Sequence, residues 1–550
     1  RAHQARRDDA RPPVRDYGVT TGFGAFKEVA IAPEQLDDLQ RNLLLSHQVG
    51  VGDTTDPDDP GNHFSADVVR ATLAIRLNAF LKGHSGVRPA LLDTIAAMLT
   101  RGIVPLVPVR GSLGSSGDLC PLAHLFGVLL GTGRYYCVTT PADVGHRGGH
   151  ELRPASRLTE DLGAAPAVPR VKEGLALING ATVSTAALAI AVRETEVLLD
   201  LADACAALSL EAICGGARAL DPQIHRARGQ RGQIDSAANL RALLQDSRLL
   251  DAAGAVQDPY SLRCAPAVHG ASRDAVAFAR MLVERELNAA TDNPLFFPAL
   301  DDPWDHAYAA NWPEGYDGRR RASFSGANVH GQPIALAADV LAIAAAEIGA
   351  IAERRTQLLL DPHHNRNLPH NLIADGGLQS GLMLAQYSAA ALVLENRALA
   401  HPASIDSLPT AGNIEDHVAN ATVAARKART IVGNAQATLA IELLTAAQAV
   451  EWRVAFERAP RAGASDPTPD AATFAEAVSS QPARQRIANR LGRGTAGLYR
   501  AIRAVVPPVT EDRALDADIR ALWRMVEDGS LNAAIDAALL RPLRAWRETP

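Results

Sequence analysis

The sequence predicts a mostly α-helical fold, with a long central helical bundle between a loop-rich N-terminal region and a C-terminal helical region. Composition is the first reason. Of 550 residues 47% are apolar but only 4% aromatic, so the core is filled mainly by Ala and Leu, the mixture found where helices pack closely. Periodicity is the second: residues 184–213, STAALAIAVRETEVLLDLADACAALSLEAI, carry apolar side chains at helical spacing with no Gly or Pro. The third is punctuation, because Gly- and Pro-rich turns separate short helical patterns through the first 170 residues.

Taken in order, residues 1–170 form the N-terminal region, with short helices expected at 68–81, 89–100 and 121–130. Residues 171–454 hold the bundle, with long helices at 184–213, 333–360, 377–399 and 417–454. These exceed ordinary globular helices and are expected to pack lengthwise, presenting inward side chains at several heights. Residues 455–550 form the C-terminal helical region. Segments 139–157, 298–321 and 459–484 read as surface insertions. The first contains GHRGGH, which reads as a flexible Gly-rich loop rather than a metal site.

A net charge of −6 argues against nucleic acid as a partner and for a small molecule. Arg1, Arg6, Arg7, Arg11 and Arg15 alternate with Asp8, Asp9 and Asp16, the pattern of a solvated terminal segment. Cys120, Cys137, Cys205, Cys214 and Cys264 are widely spaced without a CxxC pair, which points to a reducing compartment with neither a disulfide framework nor a metal. With no signal peptide and no uninterrupted apolar run of membrane-spanning length, the protein is expected to be cytoplasmic and to have no membrane partner. The chain begins with Arg rather than Met, so its native start is expected upstream.

Seven loop stretches break the helical pattern with Gly, Asn, Asp and Pro and are candidates for function: 16–26, 43–52, 111–125, 175–186, 257–268, 288–297 and 401–418. One of them, GSLGSSGDLCPLAHL, runs straight into an apolar helix with Pro121 in its first turn. Alone, it is equally an ordinary Ser/Gly turn capped by Asp118.

GSLGSSGDLCPLAH resembles the GSVGASGDLAPLAH pattern of the aromatic amino acid ammonia-lyases, and the resemblance runs from Asp16 to about Val454 through all seven loops in order. It is nearest to the histidine-specific branch. It implies a fumarase/aspartase-like bundle, a homotetramer with active sites shared between subunits, and a 4-methylidene-imidazol-5-one built autocatalytically from Ser115, Ser116 and Gly117, with no external cofactor. The Gly117 nitrogen would attack the Ser115 carbonyl, and loss of two waters would turn Ser116 into an exposed methylidene. Ser115 stands where Ala is usual; only its carbonyl is used, so its side chain is expected to be a spectator. Such a group answers a chemical need, since eliminating ammonia requires a base for a weakly acidic β-proton and an electron sink for a poor leaving group.

The same resemblance makes Tyr17 the general base, adds Tyr260 to the catalytic set, and assigns Arg263 to the substrate carboxylate, where its fork of donors can bind both oxygens. Asn179, Gln257 and Asn328 would line the pocket. His47 and Glu415 fall where the histidine-specific branch carries a His and an acid, and together they can exchange hydrogen bonds with both nitrogens of an imidazole. L-histidine is therefore the expected substrate and trans-urocanate the product. Ala181, Thr182, Ala265, Ala267, Val329 and Ile414 depart from that branch, mostly by losing polarity or bulk. They leave open a lyase or 2,3-aminomutase acting on another aromatic amino acid. A catalytically silent scaffold of the same fold is the third reading.

Overall fold

The computed structural model describes residues 16–52, 61–139, 151–297, 323–460, 466–540 and 543. Two compact units form, each from separated stretches of chain: Arg1–Leu188, Leu282–Leu336 and Pro402–Arg426 make the first, and Ala189–Met281, Ala337–His401 and Lys427–Pro550 the second. Four of the five boundaries fall inside long helices.

In the first unit, α1 (Leu36–Ser46), α2 (Ala66–Leu81), α3 (Pro89–Thr100) and α4 (Leu119–Gly127) are short, and the six-residue α5 (Glu173–Ile178) is wholly buried. A small antiparallel sheet, β1 (Ile103–Pro105), β2 (Arg134–Cys137) and β3 (Arg153–Pro154), is paired in that order, with Val104 opposite Tyr136. Ion pairs hold its loops: Lys172 and Asp292, both buried, lie 2.8 Å apart, and the part-exposed Arg88 lies 2.7 Å from the buried Glu173.

The expected long helices are present as α6 (Thr182–Ala212), α9 (Gln332–Leu360), α10 (Met383–Leu399) and α11 (Ala421–Ala455). Another long helix, α8 (Ala265–Leu287), follows the single turn α7 (Tyr260–Arg263). The stretch 257–268, read from sequence as a loop, is thus half helical. Pro266 falls in the first turn of α8, where its missing N–H costs nothing. Helix α9 is long and apolar enough to span a membrane by length and composition, although Asp339 and Glu347 interrupt its apolar run, and 67% of its apolar window is buried within the protein.

In the second unit the bundle interior holds paired charges as well as apolar side chains. Arg355 on α9 meets Glu442 on α11 at 2.6 Å, and Ser209 donates to the same carboxylate at 2.8 Å. Burial alone would raise the Asp203 carboxyl, yet Arg273 and the His269 hydrogen bond hold it down at about 2. Such charges are tolerated because each is matched by a partner.

The 459–484 segment is corrected in part. Residues 461–465 lie outside the described residues, but Ala471–Ser479 forms α12, capped by the Asp470 side chain accepting from Thr473 N at 2.8 Å. Phe474 of α12 is fully buried, its ring stacked 3.9 Å from that of Trp452. This is a docked amphipathic helix, hidden in the sequence by the Pro- and Asp-rich residues before it. Residues 298–321 lie outside the described residues, as does the GHRGGH motif of the 139–157 segment.

Candidate functional site

Two glycines build the local geometry around Ser115, Ser116 and Gly117. Gly117 has φ +85 and faces Gly180, and a Cβ on it would lie 2.0 Å from Gly180 N. Gly180 has φ +131, and a Cβ there would lie 2.3 Å from Thr291 O. No other residue lets these backbones pass so closely. Asp118 N then donates to Gly180 O at 2.9 Å, and Gly180 N points at Ser116 O from 3.4 Å.

Asp118 does not cap α4 with its side chain. It is fully buried and accepts instead from Ser184 N and Ser184 Oγ at 2.8 and 2.9 Å, from Ser112 Oγ at 3.1 Å and from Thr422 Oγ1 at 2.5 Å. Burial pushes its carboxyl up, and those hydrogen bonds pull it back. Asp118 thus ties the serine loop to the starts of α6 and α11, a role that reading it as a turn cap misses.

Ser115 is 6% exposed and not a spectator: its Oγ accepts from Ala419 N at 2.9 Å, joining the loop to the segment after Glu415. Ser116 is the hub. Asn179 Nδ2 donates to its carbonyl at 2.8 Å, and its hydroxyl donates to Glu415 Oε1. Thr410 Oγ1 holds the other Glu415 oxygen at 3.0 Å. Asn179 is 4% exposed, yet its Oδ1 has no partner among the described residues, leaving one buried acceptor free.

His47, at the C-terminal end of α1, places Nδ1 2.9 Å from Leu43 O and 3.1 Å from Ser46 Oγ. A carbonyl oxygen only accepts, so Nδ1 carries the proton and Nε2 of the neutral ring keeps its lone pair. Burial lowers the His47 pKa, opposed by the Leu43 hydrogen bond and by the charge of Glu415.

Tyr17 is half-buried on its glycine-rich loop; Gly24 N donates to its hydroxyl at 3.2 Å, and Phe23 packs edge-on with ring centroids 6.3 Å apart. Gln40 anchors this loop, donating to Gly18 O at 3.1 Å and accepting from Leu175 N at 2.8 Å. Asn328 is exposed, and its side chain makes no hydrogen bond among the described residues. The structure therefore gathers Ser116, Asn179 and Glu415 with His47 nearby, while Tyr17 and Asn328 make no hydrogen bond to that group.

Gln257, Tyr260 and Arg263 belong to the second unit. The Arg263 guanidinium lies over the Tyr260 ring, 4.4 Å from its centroid, and Arg263 Nε has no partner among the described residues. Tyr260 is 71% exposed and Gln257 is exposed. Asp258, unremarked in the sequence, anchors the turn by accepting from Gly216 N at 2.7 Å and pairing with Arg366 at 2.7 Å. Of the positions that depart from the histidine-specific pattern, Ala181 and Thr182 are buried in the framework, while Ile414, beside Glu415, is 48% exposed. Among the described residues no cluster of His, Cys, Asp or Glu could hold a metal.

The sequence matches the aromatic amino acid lyase family over residues 3–478. It is 43% identical over 529 residues to a histidine ammonia-lyase of Symbiobacterium thermophilum, spanning 96% of this chain and 89% of that one. The crystal structure of histidine ammonia-lyase from Trypanosoma cruzi is 34% identical with a TM-score of 0.75, covering 97% of this chain and 89% of that chain. A tyrosine aminomutase from Streptomyces globisporus is also 34% identical, with a TM-score of 0.79 over 96% of this chain and 91% of its own.

Proposed function

The chain belongs to the aromatic amino acid lyase family, and from that premise we propose that it is a carbon–nitrogen lyase converting L-histidine to trans-urocanate and ammonia. The observation that carries the reading is Ser116 held between Asn179 on its carbonyl and Glu415 on its hydroxyl, with His47 beside them.

The residues present fit a methylidene-imidazolone formed from Ser115, Ser116 and Gly117. The glycine-to-glycine contact leaves room for a tight ring but not for a side chain, and Asn179 Oδ1 marks a buried polar position with no donor among the described residues. Once formed, this group supplies an electron sink that lets the substrate's amino group depart. The protein's own residues do the rest. Asn179 Nδ2 and Gly180 N draw electron density onto the Ser116 carbonyl, and the N-terminal end of α4 adds a positive dipole.

Tyr17 as its phenolate is the proposed base, and taking the β-proton onto its oxygen turns it into the neutral phenol. Gly24 N–H, which donates to that oxygen, stabilises the phenolate before the transfer. His47 Nε2 accepts an N–H of the substrate imidazole, and Glu415 accepts the other when the ring is protonated. Arg263, whose Nε has no partner among the described residues, takes the substrate carboxylate. Gln257, Tyr260 and Arg263 complete the site by assembly into a homotetramer, as the family resemblance implies, with Tyr260 near the reacting atoms and Gln257 and Asn328 lining the pocket. All five cysteines are free, which supports a cytoplasmic setting.

A second reading, a lyase or 2,3-aminomutase acting on another aromatic amino acid, is favoured by the exposed apolar Ile414 next to Glu415 and by the likeness to the tyrosine aminomutase. Incubation with L-histidine, L-tyrosine and L-phenylalanine separates the two. Urocanate from histidine alone is expected. Cinnamate, coumarate or a β-amino acid without urocanate would overturn the histidine assignment.

A further inference from the structure

Arg76 sits in the middle of the apolar α2 and is fully buried, yet no carboxylate lies within salt-bridge distance of it among the described residues. Its guanidinium is spent on backbone oxygens. Nη2 donates to the carbonyls of Ala176 and Asn179, and Nη1 donates to Thr291 O at 2.8 Å and to Thr182 Oγ1 at 3.3 Å. Burial lowers its pKa only to about 10, so it is a cation at neutral pH.

A buried cation is costly, and carbonyl dipoles, aided by the charges of Asp292 and Asp118 but by no ion pair, are a weak way to offset it when an apolar side chain would fill the same space. What Arg76 grips gives it a use. Asn179 O and Gly180 N are two ends of one peptide group: the oxygen accepts from Arg76, and the N–H faces Ser116 O from 3.4 Å. Asn179 also sends its side chain to the same Ser116 carbonyl at 2.8 Å. Hydrogen bonds linked through a peptide polarise one another, and a cation at the oxygen end makes the N–H a stronger donor. The grip is close: a Cβ on Gly180 would lie 2.7 Å from Arg76 Nη1.

We propose that Arg76 is a positioning residue for the reaction: clamped on the carbonyls of Ala176 and Asn179, it sets both donors to the Ser116 carbonyl and polarises the peptide that joins them. Arg76 touches neither substrate nor reacting atoms; it acts through Asn179 and Gly180. The inference rests on the reading of Ser115, Ser116 and Gly117 as the source of the prosthetic group.

The test compares the full-length protein with Arg76→Lys, which keeps the charge but cannot span four acceptors. Intact mass, the position of the near-ultraviolet absorbance band, and kcat and KM are measured on folded protein. The expected result is a mass deficit of two waters in the parent. In Arg76→Lys the band moves to shorter wavelength and kcat falls about tenfold, the loss of one charged hydrogen bond, with KM within about threefold. Parental kcat overturns the proposal. So does a reduced kcat with an unmoved band, because a scaffold defect alone gives that pattern.

Should Arg76→Lys fail to fold, Thr182→Val removes one acceptor and leaves the guanidinium in place. A smaller shift of kcat and band in the same directions is then expected, and parental values overturn the idea. A parent without the two-water deficit sinks the prosthetic-group reading as well, whereas a deficit with unaffected variants sinks Arg76 alone.

Discussion

Glu415→Gln probes the proposed recognition of an imidazole. The carboxylate accepts from Thr410 Oγ1, at 3.0 Å, on one oxygen, and from Ser116 Oγ on the other until cyclisation removes that hydroxyl and leaves the oxygen free for substrate. An amide can keep the Thr410 contact, because the Thr410 hydroxyl can turn to accept from the new NH2. The local structure should therefore survive, and what disappears is the negative charge. A hydrogen bond to a charged group contributes about 1.5–3 kcal/mol and a neutral one about 0.5–1.5, so the substitution should cost about 1.4 kcal/mol, or about tenfold in kcat/KM for histidine. Phenylalanine has no ring N–H to lose, and any trace activity on it should stay level or rise. The assay is the ratio of kcat/KM for the two substrates. A second consequence follows from His47, whose pKa Glu415 raises against the larger lowering by burial. Removing the charge should lower it further, so the acid limb of the histidine profile, which lies below 6.5, should move to lower pH. An unchanged substrate ratio together with an unmoved acid limb would refute the assignment of Glu415 and His47 to the substrate ring.

Asp118→Ala strands the Ser184 N–H in the buried interior and should lower stability by at least about 3 kcal/mol, whereas Asp118→Asn can turn its oxygen to Ser184 and its amide to the two hydroxyls and should cost about 1–2; urea unfolding compares them. Ser115→Ala leaves Ala419 N without its acceptor, so a loss of about 1 kcal/mol is expected with the two-water deficit retained, as read by thermal unfolding and intact mass. Phe474→Ala removes the stack on Trp452 and should cost about 3–5 kcal/mol locally, seen as faster hydrogen exchange across α12 with kcat unchanged.

What the sequence made legible was governed by local rules. The long helices follow from apolar periodicity, and the serine loop stood out because Gly114, Gly117 and Asp118 interrupt that pattern at the mouth of α4. Helix α8 was missed because Pro266 and Gly270 resemble breakers, although a proline in the first turn starts a helix as readily as it ends one. Helix α12 hid behind SDPTPD and showed its character only through the burial of Phe474.

The candidate site was legible as residue types, but its supports were not. Arg76 reads as an arginine on an amphipathic helix, and only the approach of α5 and the Thr291 loop shows that it serves carbonyls distant in sequence. Asp118 looks like a cap because nothing local reveals Ser184 and Thr422. The Ser115 side chain looks idle until Ala419 arrives from 304 residues away. Such contacts are set by tertiary packing, and a single sequence carries no periodic trace of them.

The most direct test of the account is mass spectrometry of the tryptic peptide running from Gly111 to Arg134, which carries Ser115, Ser116 and Gly117 whole. A mass short by two waters, with fragmentation confining the loss to those three residues, is the expected result. A peptide of full mass from folded protein would contradict it and take the proposed elimination chemistry with it.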